Sequence, residues 1–503
     1  MRHTAIFIIA LLMAGIVSAQ VDRDAYEARK KQMQEQYARQ RQQTSQQYGE
    51  ARRKAQQEYA EFRRKANEDY AKFVQAAWEA MKMQKGEKLP EQPKPKRVPQ
   101  AVPDKLPEAT PLPEPVVTPK PREVPPPPIP DIPEPAPSAP TMAFGLYNTQ
   151  CSVHASDELK FHLASIDEKG VAEAWKTLSA EKYDGLLHDC LAQRQQLHLS
   201  DWGYIRLLKS MSERLMGKGG NEAVLMQMYL LTQSGMKVRM ARANGRLVLL
   251  VPFDHSIYDY SYITLDGEKY YVLDKNLSGN PVSGSTSIEV CRVAFPKEQV
   301  ASIVMRELPS LAYKPATKRT FEARQFGTLK AEVVANKNLV DFLNDYPVSS
   351  AWECYANASL SKATKESLYP ALRAQIKGKS QKKAAHMLLD FVQTAFDYAT
   401  DQDQFGYERP LFGDESFFYP KNDCEDRSIL YSILVRDLLG LEVALVHWEG
   451  HLGTAVHFTD EVEGDYFTID GKRFVVCDPT YIGAPVGMTM PQFKNAKANI
   501  VKL

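Results

Sequence analysis

The sequence predicts an α+β protein built around two similar units, each a helix followed by a sheet, behind an N-terminal region of different composition. Two pairs of matching stretches predict this. The stretch NEAVLMQMYLLTQSGMKVRM lines up with DRSILYSILVRDLLGLEVAL, and YITLDGEKYYVLD at Tyr262–Asp274 matches YFTIDGKRFVVCD at Tyr466–Asp478. Both members of the second pair turn on Asp-Gly, which is typical of a β-hairpin. The simplest explanation is one unit present in two copies.

The first residues are typical of a secretory signal. An apolar run, AIFIIALLMAGIV, begins soon after Arg2, and small residues at Val17–Ala19 precede Gln20. The run is too short to span a bilayer, and no cysteine follows the expected cut. We therefore expect residues 1–19 to be a cleaved signal peptide. The mature chain would be exported, periplasmic or secreted, without a transmembrane anchor.

Residues 20–88 are predicted to form a long helix, because the segment is rich in Gln, Arg, Lys, Glu and Ala. Its tyrosines recur every eleven residues, at Tyr26, Tyr37, Tyr48, Tyr59 and Tyr70. A period of eleven corresponds to about 3.67 residues per turn, which favours a straight or slightly right-handed supercoil. The segment is therefore a candidate coiled coil for self-association or envelope contact. The alternative is a solvated single helix, since the apolar stripe is thin.

Residues 89–141 form a proline-rich segment that ends in EVPPPPIPDIPEPAPSAP. Such a composition cannot pack a core, so we expect a disordered linker with an extended polyproline character. Its plain interpretation is a tether between the N-terminal helix and the globular part. Binding to a proline-recognising module is an alternative.

The globular part begins near residue 142. We assign residues 142–285 to the first copy of the repeated unit and residues 336–503 to the second copy. Residues 286–335 contain alternating patches such as SIEVCRVAF and LKAEVVA, which indicate a β-rich connector.

Charge and cysteine content narrow the functional classes. The net charge of the chain is +1, which indicates no nucleic-acid partner. Six cysteines, at positions 151, 190, 291, 354, 424 and 477, are few for 503 residues, so the fold must depend on hydrophobic cores. Their spacing does not resemble a zinc site, and DQDQFG lacks the ligands of a calcium loop. We expect neither a metal nor a cofactor.

The second copy contains a cysteine at the start of a predicted helix. In NDCEDRSILYSILVRDLLG, Asp423 is placed to cap the helix, and Asp426 stands in the capping-box position. Cys424 would then be the first helical residue, where backbone N–H groups stabilise a thiolate. The surrounding acids Asp423, Glu425 and Asp426 should instead raise the pKa of the thiol. The alternative is that Cys424 is a small apolar residue or half of a disulfide.

A cysteine nucleophile needs a base and usually a third group that orients the base. The candidate bases downstream are His447, His451 and His457. The candidate acid is Asp478, which ends a strand on the same face as the apolar Phe474 and Val476. A buried aspartate there requires a partner, and a histidine on the adjoining strand would supply one.

Three motifs of the second copy, in this order, resemble the transglutaminase-like superfamily of papain-fold enzymes: NDCEDRSILYSILVRDLLGLEVALV, GHLGTAV and FVVCDPTYIG. KKAAHMLLDFVQTAFDY resembles the family's helix before the cleft, and ERPLFGDESFFYP its cleft wall. The resemblance implies two transglutaminase-like domains. It also implies that Cys424 is the nucleophile, His451 the base and Asp478 the acid.

By this resemblance the protein would be a thiol hydrolase that cleaves peptide, isopeptide or amide bonds through an acyl-enzyme. Its partner would be a protein or peptide substrate. One alternative is an amine-acceptor transglutaminase, because both classes share the first half-reaction. Another is a non-catalytic envelope scaffold or binding protein.

The first copy lacks the catalytic pair. The alignment places Gly219 at the nucleophile position and Arg246 or Leu247 at the base position, whereas Asp274 retains the acid. The first copy also has no counterpart of residues 401–419. We therefore expect a degenerate domain that packs against its sister or binds substrate.

Overall fold

The computed structural model describes residues 2–76, 78–92, 94–95, 97–101, 109–118, 140–273 and 287–503. The protein is a mixed α+β chain with an N-terminal helix, as the sequence predicts. The chain divides into two compact units, Met1–Ala66 and Asn67–Leu503. In the part of the chain that the structure describes, no helix has an apolar stretch long enough to cross a bilayer.

The helices are, in chain order, α1 (Arg2–Val74), α2 (Glu168–Leu178), α3 (Asp184–Gln196), α4 (Asp201–Met216), α5 (Asn221–Gln233), α6 (Lys337–Asn344), α7 (Glu353–Ala356), α8 (Lys362–Ile376), α9 (Gln381–Thr394), α10 (Asp401–Gln404), α11 (Glu415–Phe418) and α12 (Cys424–Leu439). Short 3₁₀ turns occupy Asp157–Leu159, Glu181–Tyr183 and Pro491–Phe493.

The strands are β1 (Glu79–Lys82), β2 (Val116–Thr118), β3 (Thr141–Leu146), β4 (Thr149–His154), β5 (Arg239–Ala243), β6 (Arg246–Val251), β7 (Tyr262–Leu265), β8 (Glu268–Val272), β9 (Ser287–Cys291), β10 (Arg319–Glu322), β11 (Lys330–Val333), β12 (Asp397–Tyr398), β13 (Lys421–Asn422), β14 (Glu442–Trp448), β15 (His451–His457), β16 (Tyr466–Ile469), β17 (Lys472–Cys477) and β18 (Asn499–Lys502).

The N-terminal helix is displaced toward the N-terminus relative to the predicted helix over residues 20–88, because it begins at Arg2 and includes the predicted signal segment. It ends at Val74, and the indole N–H of Trp78 donates a hydrogen bond to the Val74 carbonyl at 3.1 Å. This bond satisfies one of the carbonyls that a helix end leaves without an intrahelical partner. Two tyrosines of the eleven-residue repeat, Tyr37 and Tyr48, are 69% and 71% exposed. Tyr26 lies among the residues whose side chains the structure does not describe.

Two six-stranded sheets share one strand order. The first sheet runs β7-β8-β6-β5-β9-β1, and the second runs β16-β17-β15-β14-β18-β2. A long helix precedes the central hairpin in each case, α5 before β5 and α12 before β14. The sheets differ at the outermost strand, because β1 pairs antiparallel with β9 whereas β2 pairs parallel with β18.

The outer hairpin of each sheet turns on Asp-Gly, as the sequence predicts. Asp266 and Gly267 have φ values of 51° and 83°, and Asp470 and Gly471 have φ values of 49° and 76°. Positive φ at both central residues is the geometry of a type I′ turn, which matches the twist of the flanking strands. Behind each hairpin, alternate strand residues form an apolar core.

Parts of the proline-rich segment lie along the second sheet, which differs from the free linker expected over residues 89–141. Ala101 N donates to the Ile482 carbonyl at 2.8 Å, and Ile482 N donates to the Pro99 carbonyl at 3.0 Å. Farther on, β2 forms the outer edge of the sheet. Proline has no N–H, so a proline-rich chain can pair only at an edge, through its remaining amides and its carbonyls.

Candidate functional site

Helix α12 begins at Cys424, and its capping follows the sequence prediction. The Asp423 carboxylate accepts hydrogen bonds from Glu425 N and Asp426 N at 3.2 and 3.4 Å. In return the Asp426 carboxylate accepts from Asp423 N at 3.2 Å, which completes a capping box. Asp423 and Asp426 therefore have a structural role at this helix start.

The Cys424 thiol is buried and bonded to a neighbouring acid. Its exposed fraction is 1%, and Sγ donates a hydrogen bond to Glu425 Oε2 at 2.9 Å. Burial, then the charges of Glu425 and Asp423, raise the pKa of the thiol well above its usual value. The sequence prediction that the acids oppose ionisation is confirmed. All six cysteines are free thiols, so Cys424 is not half of a disulfide.

His451 opens strand β15 and pairs with Asp478. Nε2 donates to Asp478 Oδ2 at 2.8 Å, and both side chains are at most 2% exposed. Asp478 Oδ1 accepts from the backbone N–H groups of Thr480 and Tyr481 at 2.9 and 3.2 Å, which fixes the carboxylate. His451 Nδ1 is buried, and no residue that the structure describes forms a hydrogen bond with it.

The His451 ring is also held by aromatic stacking. It lies parallel to Phe493, with ring centroids 5.2 Å apart, and nearly parallel to Trp448 at 5.8 Å. A Cβ built on Gly453 would come within 3.0 Å of the Trp448 ring and 3.7 Å of both the Asp478 carboxyl carbon and His451 Nε2. Glycine at this position therefore leaves the room that the pair needs.

Helix α12 packs with its Cys424 side against the start of β15. Ser428 Oγ donates to the Leu452 carbonyl at 2.8 Å. Residues four apart lie on one face of a helix, so Cys424 and Ser428 both face the end of the strand that carries His451. Cys424 Sγ bonds to Glu425 and His451 Nε2 bonds to Asp478, so the thiol and the imidazole are not hydrogen-bonded to each other.

The other two candidate histidines have different partners. His457 lies at the far end of β15, where Nδ1 donates to the Arg473 carbonyl at 2.9 Å. His447 packs on Trp352 with ring centroids 4.7 Å apart, and burial, then the His451 charge, lower its pKa. Of the three histidines, His451 is the one bonded to Asp478.

Two buried residues that the sequence did not single out organise this region. Gln393 Nε2 donates to the carbonyls of Asp478, Tyr481 and Ala484 at 2.9, 2.9 and 3.2 Å. Arg427 donates to the carbonyls of Gln393 and Phe396, and burial lowers its pKa to about 10. Gln393 thus shapes the turn after Asp478. Neither residue carries a sequence signal, because each acts on backbone carbonyls distant in the chain.

An acidic pocket adjoins the thiol and contains a lysine from the proline-rich segment. Lys94 Nζ lies 2.7 Å from Asp423 Oδ2, 2.9 Å from Glu425 Oε1 and 3.6 Å from Asp401 Oδ2, and it also bonds to Glu408. All five side chains are at most 4% exposed. We call these four carboxylates the acidic pocket.

The charges in the acidic pocket are strongly coupled. Burial alone would lower the pKa of Lys94, but Glu425, Asp423, Cys424 and Asp401 outweigh it, so the pKa of Lys94 is raised. Burial, then Asp423, raise the pKa of Asp401 to about 9 and that of Glu425 to about 7, although Lys94 lowers both. The ammonium therefore offsets part of the cost of burying these acids.

A cavity of about 380 Å³ lies between Lys94 and His451. Lys94, Pro95 and Pro99 line one side, and Gly450, His451 and Phe493 are among the residues on the other. The cavity therefore lies beside the His451 ring.

The ligand atoms of two triads in this region lie close enough to bind one cation. They are those of Asp423, Cys424 and Glu425, and those of Asp401, Asp423 and Asp426. The Lys94 ammonium lies among the same carboxylates, so an ion would compete with it for Asp401, Asp423 and Glu425. The sequence predicts that DQDQFG is not a calcium loop. In the structure, Asp401 of that stretch accepts a hydrogen bond from Arg409 N at 2.8 Å.

The corresponding positions of the first copy have different chemistry. Helix α5 begins at Asn221, after Gly219, which has φ +71°. Strand β6 begins at Arg246, whose guanidinium donates to the Gly219 carbonyl at 3.3 Å. The positions aligned with Cys424 and His451 thus meet here, with no thiol or imidazole. Asp274 lies outside the described residues.

Comparisons of the chain with known proteins return no match: no protein-family model, no curated protein and no solved structure matches it. The geometry and chemistry of this site are therefore the basis for a functional proposal.

Proposed function

We propose that the protein is an exported thiol hydrolase that cleaves peptide, isopeptide or other amide bonds of a protein or peptide substrate. Cys424 is the nucleophile, His451 the general base and Asp478 the group that orients the base. One observation carries the proposal: His451 is fixed by Asp478 through Nε2 and keeps Nδ1 without a partner beside the cavity. His386 and His447 also have one buried ring nitrogen without a partner among the described residues, so the bond to Asp478 and the cavity beside the ring are what distinguish His451.

In the first half-reaction, the Cys424 thiol transfers its proton to His451 Nδ1, and the sulfur attacks the carbonyl carbon of the amide. The tetrahedral intermediate collapses, the C–N bond breaks, and the leaving amine takes the proton from His451. The acyl group is then bound to Cys424 as a thioester. Asp478 stabilises the imidazolium that exists between these two proton transfers.

In the second half-reaction, a water molecule transfers a proton to His451 Nδ1 while its oxygen attacks the thioester carbonyl. The C–S bond breaks, the sulfur takes the proton back from His451, and the carboxylic acid product leaves. The free thiol is restored without any cofactor.

The thiol must change partner before this chemistry begins. In the structure Sγ donates to Glu425 Oε2, whereas the mechanism requires it to donate to His451 Nδ1. In the proposed mechanism, rotation about the Cα–Cβ bond of Cys424 moves Sγ from Glu425 toward His451, which begins the strand against which α12 packs. The described state is a resting state.

A second candidate is a non-catalytic binding protein, the scaffold alternative of the sequence analysis. The raised pKa of the Cys424 thiol favours this alternative, because reactive cysteines normally have a lowered pKa. It leaves the unsatisfied Nδ1 of His451 without a role.

Two histidine variants on one strand test the proposal. His451→Ala and His457→Ala each remove an imidazole from an end of β15. The assay is hydrolysis of quenched fluorescent casein and of a mixture of fluorogenic peptide amides, with Cys424→Ala as the inactive reference. We expect His451→Ala to lower turnover by several orders of magnitude and His457→Ala by less than about tenfold. Equal losses in both variants, or full activity of Cys424→Ala, would contradict the assignment.

A further inference from the structure

The Lys94 side chain is buried among the four carboxylates of the acidic pocket, although it is distant from them in the sequence. It comes from the proline-rich segment, 329 residues from its partner Asp423, and it reaches four carboxylates at 2% exposure. Removing an ammonium from water is costly unless its charge and hydrogen bonds are replaced. Here Asp423 and Glu425 replace them at 2.7 and 2.9 Å.

The backbone around Lys94 is bound as an extended peptide. The Pro95 carbonyl accepts a hydrogen bond from the Tyr398 hydroxyl at 2.9 Å. Two further bonds join Pro99 and Ala101 to Ile482, in a parallel bridge at Gln100. Residues 94–95 and 97–101 therefore have one charged anchor and two backbone anchors. Pro95 and Pro99 of this segment line the same cavity as His451.

The sequence of this segment occurs twice. PKPKRVP at residues 93–99 is matched by PKPREVP at residues 119–125, identical at both ends, at the lysine, at the second proline and at the valine. The second stretch lies outside the described residues, so the match is one of sequence alone. Extended proline-containing segments are one class of short peptide that binding sites recognise.

We propose that the acidic pocket is a binding site for an extended peptide with a Pro-Lys-Pro core, and that Lys94–Ala101 occupies it in cis. The occupied site closes the cleft beside His451, so the chain is held in a covered state until a peptide of the same chemistry displaces the segment. That this covering inhibits catalysis rests on the function proposed above. The binding itself does not require a reactive thiol.

Because the segment is covalently attached, we expect a free peptide to bind the intact protein weakly. A tethered ligand competes at an effective concentration of the order of millimolar. Removing the Lys94 charge should open the site to a peptide supplied in solution.

The direct test is fluorescence anisotropy with the labelled peptide TPKPREVPP, in the Cys424→Ala background so that no turnover interferes. We expect the Lys94→Met chain to bind it at least about tenfold more tightly than the chain with Lys94. Arg97→Met, which removes an exposed charge from the same segment, should give no gain. The Lys94→Met chain should bind the peptide TPAPREVPP at least about tenfold more weakly than TPKPREVPP. The Lys94→Met/Glu408→Gln chain should bind TPKPREVPP at least about tenfold more weakly than the Lys94→Met chain does. A folded Lys94→Met chain that does not bind, or an equal gain from Arg97→Met, would overturn the proposal.

A second measurement uses the wild-type chain and needs no folded variant. Lysine acetylation by an activated ester, read by mass spectrometry, should be at least about tenfold slower at Lys94 than at the exposed Lys379. Adding millimolar TPKPREVPP should speed acetylation of Lys94 and leave Lys379 unchanged. Lys94 acetylated as fast as Lys379 without peptide would overturn the proposal. Peptide binding without any hydrolase activity would instead reject the proposed function alone.

Discussion

Replacing Lys94 by methionine should destabilise the protein in a pH-dependent way. Methionine keeps an unbranched side chain of similar length but removes the ammonium that bonds to Glu408, Asp423 and Glu425. Breaking a buried ion pair by removing one partner costs about 3–5 kcal/mol, because the other charge is left uncompensated. We expect a loss of this size in the free energy of unfolding above neutral pH.

The sign of the pH dependence follows from Asp401 and Glu425. Their pKa values in the folded chain, about 9 and about 7, exceed the ordinary values of 3.8 and 4.5. Each group therefore contributes stability that is complete below its ordinary value and is lost as the pH rises through 7 and then 9. Lys94 lowers both pKa values, so its removal raises them further. The deficit of Lys94→Met should therefore be smaller near pH 5, where Asp401 and Glu425 are protonated, and largest above pH 8.

Urea unfolding followed by circular dichroism, at about pH 5 and at about pH 8.5, measures this difference. Arg97→Met is the matched control, because Arg97 is an exposed cation of the same segment. It should change the free energy of unfolding by no more than about 0.5 kcal/mol. An equal deficit for Lys94→Met at both pH values, or one below about 1 kcal/mol at pH 8.5, would refute the description of the acidic pocket.

Three further substitutions test other parts of the site. Gly453→Ala should lower the free energy of unfolding by about 1–3 kcal/mol, because the added Cβ would lie 3.0 Å from the Trp448 ring, and it should lower turnover. In the control Gly145→Ala the added Cβ has no atom within 4 Å, so calorimetry should show no change in stability. Glu425→Gln should lower the pKa of the Cys424 thiol and speed its alkylation by iodoacetamide at pH 7 at least about tenfold; an unchanged rate would contradict the cause given for the raised pKa. Gly219→Cys should create no thiol-dependent activity and should cost about 1–2 kcal/mol, because φ is +71° there; activity gained by this one change would mean that the first copy retains a base.

The features that the sequence predicts correctly are local ones. Capping of α12 by Asp423 depends on residues three apart, and the turns at Asp266–Gly267 and Asp470–Gly471 depend on two adjacent residues. The position of His451 at the start of a strand follows from the glycine before it. Each of these signals is complete within a few residues, so periodicity and turn chemistry are sufficient to find it.

The features that the sequence missed depend on long-range contacts. Lys94 belongs to a segment whose composition predicts an unpacked linker, and nothing near it in the chain indicates four distant carboxylates. Gln393 acts on a turn that lies 85–91 residues ahead. The N-terminal helix ends at Val74, where the Trp78 indole bonds to the last carbonyl, although helix-forming residues continue in the sequence. Tertiary packing overrides propensity in each case.

Glu425 links the acidic pocket to the thiol, which gives the two proposals a common mechanism. Its Oε1 bonds to Lys94, and its Oε2 accepts a hydrogen bond from the Cys424 thiol. One carboxylate therefore holds both the covering segment and the resting nucleophile. When Lys94 leaves, Glu425 loses the charge that lowers its pKa, and near pH 7 it takes up a proton. A protonated Glu425 no longer holds the thiol through a charge-assisted hydrogen bond, which leaves His451 Nδ1 as the better acceptor. Opening of the cleft and release of the thiol toward its base would then be one event.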